Sequence, residues 1–565
     1  MELTGAQILM ECLKREEVDT IFGYPGGMVI DVFDELSRHQ DALKTILVRH
    51  EQGAVHAADG YSRASGKVGV CLVTSGPGAT NAVTGIATAY CDSIPLVVFT
   101  GQVPTRLIGN DAFQEVDIVG ITRPCTKHNY LVKDIKDLAR IIRQAFYLAR
   151  TGRPGPVLID LPKDVSTGKT EFVWPEDVRM RGYNPTYKPN LVQLRRAAEL
   201  LVKAKKPLIL MGGGVVGSNA GGVLTDMAMR YQIPVVSTLM GLGGFPGTHS
   251  LWFGMVGMHG FVAANKAVGE ADLLIAVGTR FADRVTGKVS AFASNSSIIH
   301  IDIDPTSIRK NVNVDVPVVA DCREAVIGLS EVLAARAGEK DWVNEHKAWL
   351  AGLDCYRKEY PLSYVRDGEI KPQQVIEAVY DLVRDTDAVI TTEVGQHQMW
   401  AAQFFKYTKP RTFLSSGGLG TMGYGLPAAM GAQIAMPDRR VICIAGDGSI
   451  QMNSQEFATI VHNKLPVKVI ILNNCFLGMV RQWQELFFKQ NYMCTPMDGQ
   501  PDFVKLADAY GAEGYRITEE ADLVPTLQKA LCSPNPVIVD VRVAREENVY
   551  PMVPAGKALD EMLLV

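Results

Sequence analysis

Residues 446–474 read GDGSIQMNSQEFATIVHNKLPVKVIILNN, and they constrain the fold more than any other stretch. An apolar run at 441–445 precedes them, Gly446-Asp447-Gly448-Ser449 breaks that run, a helical stretch follows, and a second apolar run at 467–472 delivers Asn473 and Asn474. A strand, a helix and a strand in this order make a βαβ unit, which brings both strand ends to one edge of a parallel sheet. Asp447 and Asn474 are therefore expected side by side at that edge. One carboxylate and one amide oxygen suit a hard cation such as Mg²⁺, whose remaining positions go to water and phosphate oxygens. Gly446 and Gly448 allow close backbone approach, and the amides that open the next helix favour an anion. A turn that merely uses Asp and Gly is the competing reading, and the Asn-Asn pair after the second strand weighs against it.

A chain of 565 residues is too long for one core; about 150 residues per domain gives three or four. A net charge of −4 and pI near 6.2 argue against nucleic acid or an anionic membrane as the main partner. The first residues, MELTGAQILMECLKREEVD, are amphipathic and acidic, unlike a signal or transit peptide, and no apolar run approaches a membrane span. A cytoplasmic location is expected. The ten cysteines include no CxxC pair and are expected to be small buried residues rather than disulfides or zinc ligands.

The βα pattern recurs along the chain, so the expected fold is α/β with three doubly wound parallel-sheet domains. The first unit spans 1–165. Its strand ends carry Tyr24-Pro25-Gly26-Gly27, Arg49-His50-Glu51 and Thr74-Ser75-Gly76-Pro77-Gly78. Glu51 opens a helix, where a carboxylate is usually just a partner for the helix dipole. Residues 110–129 are polar enough to be a solvated loop. A proline-marked linker is expected at 166–190, a central unit at 191–335, and a charged, helical and irregular connector at 336–370. The central unit contains GGGVVG at 212–217, a formal GxGxxG, but Val235-Val236-Ser237 stand where a dinucleotide site would want an acid. Its strand ends carry Thr238, Gly278-Thr279-Arg280 and Asp302. The last unit, 371–550, holds Glu393 to Trp400 after a strand, a glycine-dense loop at 417–423, and the 446–474 motif; a tail follows at 551–565.

GDG, some two dozen residues and NN is the motif of the thiamine diphosphate (ThDP) enzymes, which the chain resembles here. RHEQGAVHAADGYSRASG at 49–66 resembles the motif that presents that family's catalytic Glu. Over essentially its whole length, and most clearly at FQE (113–115), Gly155-Pro156-Val157 and Leu161-Pro162-Lys163-Asp164, the chain is similar to the acetohydroxyacid synthases. The resemblance implies pyrimidine-binding, central FAD-binding and diphosphate-binding domains, with ThDP, Mg²⁺ and FAD as cofactors. It implies decarboxylation of pyruvate and ligation of the remaining two-carbon unit to a second 2-keto acid.

Residue by residue, the resemblance makes Glu51 the partner of the cofactor's aminopyrimidine N1′, where a protonated carboxyl in a dry pocket stabilises the imino tautomer. Asp447, Asn474 and the Phe476 carbonyl become Mg²⁺ ligands. Gly395, Gln396, His397, Gly446, Gly448, Ser449 and Met479 match diphosphate-side contacts, Gly420 offers a carbonyl to the pyrimidine, and Met422 is the wedge that bends the cofactor. Gly27, Phe113, Gln114 and Lys163 match active-site positions. Arg284 is the expected seat of the second acid's carboxylate, and Trp483 is expected to line its side-chain pocket. Arg153, Gly212, Gly213, Thr238, Leu239, Met258, His259, Gly278, Arg280, Asp283, Asp302 and Asp321 match flavin positions. Relatives usually read RFDDR where this chain has Arg280-Phe281-Ala282-Asp283-Arg284.

The resemblance also implies a homodimer, or a dimer of dimers, in which Glu51 of one subunit serves the diphosphate loop of its neighbour. A separate small regulatory ACT-domain subunit is implied as well, with no nucleic-acid or membrane partner. An FAD-independent catabolic acetolactate synthase, a pyruvate oxidase and a non-enzymatic nucleotide-binding regulatory module remain alternatives. A glyoxylate carboligase would lack Glu51.

Overall fold

The computed structural model describes residues 1–178, 180–336, 338 and 340–564. Three six-stranded sheets form its skeleton, and all their strand pairs are parallel. Short strands β1 (Glu2–Thr4) and β8 (Lys169–Glu171) pair antiparallel beside the first sheet. That sheet contains β2 (Thr20–Tyr24), β3 (Lys44–Leu47), β4 (Gly69–Val73), β5 (Leu96–Gln102), β6 (His128–Leu131) and β7 (Pro156–Pro162) in the order β3-β2-β4-β5-β7-β6. The central sheet contains β9 (Pro207–Met211), β10 (Val235–Ser237), β11 (Trp252–Met255), β12 (Leu273–Val277), β13 (Ser297–Asp302) and β14 (Val316–Val319) in the order β11-β10-β9-β12-β13-β14. The third contains β15 (Val389–Thr392), β16 (Phe413–Leu414), β17 (Val441–Gly446), β18 (Lys468–Asn473), β19 (Glu513–Ile517) and β20 (Val537–Arg542) in the order β16-β15-β17-β18-β20-β19.

The inner strands read as unbroken Val/Ile/Leu runs because helices cover both faces, so no alternation is required. β4, β5, β7, β9, β12, β17 and β18 are buried along their whole length. The first and third sheets have equivalent orders, as their shared βα pattern leads one to expect. The central sheet follows another order, with β9 at the point where the winding reverses.

The first and third units of the chain share one core. Helices Glu51–Ser65 and Gly425–Ala435 pack with their backbones almost touching. A Cβ on Gly431 would lie 1.9 Å from the Ala57 carbonyl oxygen, and one on Gly60 would lie 2.2 Å from that of Ala428. Ala54, Ala57, Ala58, Leu426, Ala429 and Ala432 fill the seam. A buried polar cluster crosses it: Arg63 pairs with Asp59 at 2.6 Å and Asp92 at 2.9 Å, and Tyr424 donates to Asp59.

Two expectations about connections need correction. Residues 110–129 are not one loop: Asp117 caps helix Ile118–Thr122 by accepting from Gly120 N–H, and β6 begins at His128. The segment 166–190 opens on the end of helix Lys163–Thr167 and then β8, which stitches it to the N-terminal strand. The helical part of the charged stretch 336–370 is Trp342–Glu359, whose Trp342, His346, Trp349 and Leu353 are buried; the Trp349 indole donates to the Pro207 carbonyl of β9, so this helix covers the central sheet. Of the ten free cysteines, Cys12, Cys71, Cys322 and Cys443 are buried, while Cys355, Cys494 and Cys532 are exposed; the last three lie within helix Trp342–Glu359, in a loop and at the end of helix Glu520–Cys532 rather than in strands.

The tail is docked. Val553 N–H donates to the Met258 carbonyl at 2.7 Å, Met552 bridges Leu563, and Gln482 and Gln403 donate to the Val549 and Tyr550 carbonyls. It straps the third unit to the central one. Among the described residues no helix is long and apolar enough to cross a membrane.

Candidate active site

At the third sheet, β15, β17 and β18 run parallel in neighbouring positions, so their carboxyl ends deliver Glu393 to His397, Asp447, and Asn474 to one edge. Asp447 and Asn474 are buried. The Asn474 amide oxygen accepts from Phe476 N–H at 3.1 Å, and its nitrogen faces Gln396 Oε1 at 3.4 Å. Burial pushes the Asp447 carboxyl up to about 7, against the opposing pull of nearby Arg542. His397 is also buried; burial lowers its pKa to about 3, and its Nε2 has no protein partner.

The imidazole stands where side chains on its neighbours would collide with it. A Cβ on Gly446 would be 2.8 Å from His397 Nδ1, and one on Gly395 would be 2.7 Å from Cε1. A Cβ on Gly478 would lie 2.1 Å from Gln396 Oε1. An orphaned imidazole nitrogen, a buried carboxylate and a glycine-lined cradle fit a metal-bound diphosphate. Ser449 and Gly446 bond reciprocally and shape the turn. No group of three or more His, Cys, Asp or Glu side chains suited to a metal occurs among the described residues, consistent with two protein side chains plus ligand oxygens here.

Glu393 shapes the glycine-dense loop. It is fully buried, and its carboxylate accepts from Gly423 N–H at 2.7 Å and Leu426 N–H at 3.1 Å. At the loop's other end Asp92, from the first unit, accepts from Gly417 N–H at 3.1 Å and Gly418 N–H at 2.7 Å. Gly420 sits between these clamps at φ +73°, a backbone conformation natural to glycine. Met422 is partly buried and Leu419 is exposed.

The carboxyl edge of the first sheet gathers Glu51, Gly27, Lys163 and Gln114. Glu51 is buried and accepts from Asn81 Nδ2 at 2.9 Å. Lys163 Nζ donates to the Gly27 carbonyl at 2.8 Å and faces Asp31 at 3.3 Å. Gln114, at φ +59°, crowds Gly76 in the turn after β4, the same turn whose Gly78 approaches Glu51. Phe113 is 84% exposed. The polar contacts of Glu51 and Lys163 lie within the first unit.

In the central unit the sheet order is that of dinucleotide-binding folds, which take their ligand where the winding reverses. That point lies between β9 and β12. Gly212 and Gly278 meet there: a Cβ on Gly212 would be 2.3 Å from the Gly278 carbonyl oxygen, and Gly278 adopts φ +60°. Gly213, Thr238 and Leu239 rim the same edge, and the buried Ser237 hydroxyl has no protein partner. Arg153 donates to Ser93 within the first unit at 2.8 Å and reaches across to Asp304 at 3.4 Å. Burial raises the Asp302 carboxyl to about 6. Asp321 accepts from the N–H groups of Arg323 and Glu324 at the start of the following helix. These features fit an extended dinucleotide.

Arg284 and Trp483, from different units, do meet. The guanidinium carbon lies 5.9 Å from the Trp483 ring centroid, and Nη1 is 3.8 Å from Met258 sulfur. The Arg284 guanidinium is largely exposed and Asp283 more so, 3.9 Å away. His259 is buried, with Nδ1 3.3 Å from the Pro551 carbonyl, so the tail braces this wall. Ala282 caps the short helix Asp283–Thr286 with its carbonyl, a role its side chain does not enter. Met479 packs partly buried beside the third-unit core.

Sequence reasoning passed over Glu393, Asp92, Asn453 and Glu456. Glu393 and Glu456 had a signal, since each is an acid next to a buried element in a functional motif; Asp92 had none.

Three family descriptions match: "Thiamine pyrophosphate enzyme, N-terminal TPP binding domain" over residues 3–121, the "central domain" over 194–329, and the "C-terminal TPP binding domain" over 393–541. The chain is 50% identical to the acetolactate synthase large subunit of Parasynechococcus marenigrum (strain WH8102), covering 99% of this chain and 91% of that protein. It is 48% identical to the isozyme 3 large subunit of Escherichia coli (strain K12), covering 100% and 98%, and 50% identical to an acetolactate synthase of Mycobacterium leprae (strain TN), covering 99% and 90%. With all three thiamine pyrophosphate enzyme domains in place and near-complete coverage at this identity, the chain belongs to the acetolactate synthase large-subunit family of thiamine pyrophosphate enzymes.

Proposed function

We propose that this chain is the catalytic subunit of a biosynthetic acetolactate synthase: it releases CO₂ from pyruvate and joins the remaining two-carbon unit to a second 2-keto acid. Pyruvate as acceptor gives 2-acetolactate, and 2-ketobutyrate gives 2-aceto-2-hydroxybutyrate, the branched-chain amino-acid precursors. The observation that carries this reading is the convergence of Asp447, Asn474 and the orphaned His397 in a glycine cradle at one sheet edge.

Asp447, Asn474 and the Phe476 carbonyl would hold Mg²⁺, and Gly395, Gln396 and His397 would take diphosphate oxygens. Bound ThDP supplies a nucleophilic thiazolium carbon and an electron sink. Glu51, buried and held by Asn81, would face the aminopyrimidine ring and exchange a proton with it. The Gly420 carbonyl and Met422 orient that ring. Arg284, free of a tight carboxylate partner, pairs with the acceptor's carboxylate, and Trp483 beside it limits the acceptor side chain. Gly212, Gly213, Thr238, Leu239, Gly278, Arg280 and Asp302 would cradle FAD.

With the polar contacts of Glu51 confined to the first unit, two copies are proposed to complete each site. The exposed Phe113 and the partly buried Gln114 and Lys163 would then enter the partner's site. The naming of relatives as large subunits supports a separate small regulatory subunit as a further partner.

The test is acetolactate formation from pyruvate by cofactor-stripped protein given ThDP and Mg²⁺, with and without FAD. Product that requires all three supports the biosynthetic reading. Equal activity without FAD would move the assignment to the catabolic type, and no CO₂ release would remove it.

A further inference from the structure

Glu456 opens helix Glu456–His462, inside the motif that carries Asp447 and Asn474, yet its carboxylate turns away from the cradle and crosses to the first unit. Oε1 accepts from Arg49 N–H and from His50 N–H, both at 2.9 Å, and Oε2 accepts from the Thr459 hydroxyl at 3.0 Å. Arg49 and His50 immediately precede Glu51, the first residue of its helix. The glutamate is fully buried, and the first unit leaves room for it at one place: a Cβ on Gly53 would sit 2.5 Å from Oε1. The same segment grips the glycine-dense loop, since Asn453 Nδ2 donates to the Gly423 carbonyl at 2.6 Å.

The amides before a helix have no partner within it, and one oxygen that gathers two of them fixes where the helix begins. A shift of that start moves Glu51, because a side chain at a helix's first residue follows its backbone. We propose that Glu456 is a positioning residue for Glu51. The 446–474 motif thereby serves two purposes in one chain: it offers the cation and diphosphate groups of one site, and it sets the carboxylate presented to a second copy's site. This rests on the role of Glu51 proposed above.

Hydrogen exchange of the cofactor-free protein gives the first readout. The Arg49 and His50 amides are expected to lose protection in Glu456→Ala and in Gly53→Ala, and to keep it in Glu456→Gln, whose amide oxygen still accepts both. The second readout is the rate at which ThDP bound with Mg²⁺ exchanges its C2 proton for deuterium. Misplacing a catalytic group by an ångström costs up to about 100-fold, so slowing by about 10- to 100-fold is expected in Glu456→Ala and Gly53→Ala. Glu456→Gln should restore exchange to near the parent rate, and ThDP affinity should hardly change in any of the three.

Glu51→Gln serves as the control. If it slows exchange while Glu456→Ala and Gly53→Ala do not, the positioning role is overturned and the role of Glu51 stands. If Glu51→Gln exchanges at the parent rate, the assignment of Glu51 falls first and the proposal with it. Should Glu456→Ala not fold, Gly53→Ala against Glu456→Gln decides the matter alone.

Discussion

The first and third sheets are wound in the same order, and each presents the carboxyl ends of its inner strands as a working edge. Those edges differ in kind. The third carries a buried carboxylate, an amide and an unpartnered imidazole packed against glycines, a setting for a metal and phosphates. The first carries one buried glutamate, a lysine tied to a backbone carbonyl, and an exposed Phe113. One scaffold thus presents a glycine-lined setting for phosphates in one copy and a single buried glutamate in the other. The glycine and alanine seam between their helices joins the two units within the chain.

The largest effect expected from breaking this division is at Glu51. Glu51→Gln should lower turnover by about 10²–10⁴-fold, the usual worth of a positioned acid or base, with the melting temperature and ThDP affinity unchanged. If the edges are as different as described, Asp447→Asn should act the other way round. It should raise the Mg²⁺ concentration needed for half activity by at least about tenfold and remove the thermal stabilisation given by Mg²⁺ with ThDP, measured by calorimetry. Arg284→Ala sharpens the picture by adding the central unit's share. Loss of a charge-assisted hydrogen bond of about 1.5–3 kcal/mol should raise the acceptor's KM by roughly 10- to 100-fold, while CO₂ release in single turnover is preserved.

The smallest effect is a pH dependence. Burial holds the Asp447 carboxyl near 7 and the Glu393 and Glu456 carboxyls near 7 as well. A carboxyl whose pKa is raised on folding stabilises the protein fully below its unfolded value, and that contribution is lost as pH rises through the folded value. The cofactor-free protein should therefore melt at lower temperature as pH goes from about 5 to 8, with a shallower decline in Asp447→Asn and a residual slope from the two glutamates. A slope unchanged by that substitution would contradict the burial argument at Asp447.

Much of this was legible in the chain. Apolar runs ending in glycine and polar residues placed the parallel strands, and the 446–474 spacing alone puts Asp447 beside Asn474, because a right-handed βαβ unit has no other way to close. Helix Ile118–Thr122 was harder to read, because it is only five residues long and lies within a polar stretch. The orders of the three sheets, and with them the crevice at Gly212 and Gly278, depend on contacts far apart in sequence. So do the clamps at Asp92 and Glu456, each of which bonds to backbone amides in another unit. An acid that bonds to distant amides leaves no periodicity to detect.

On the function proposed above, a working site joins the first edge of one chain to the third edge of another. The most direct test mixes a Glu51→Gln protein with an Asp447→Asn protein, at an Mg²⁺ concentration too low to support the latter, under conditions that let subunits exchange. Random pairing makes half the dimers hybrids, each with one intact site, so activity should recover to roughly a quarter of the parent level. No recovery, with hybrids demonstrated by mass, would mean that both edges serve a site within a single chain.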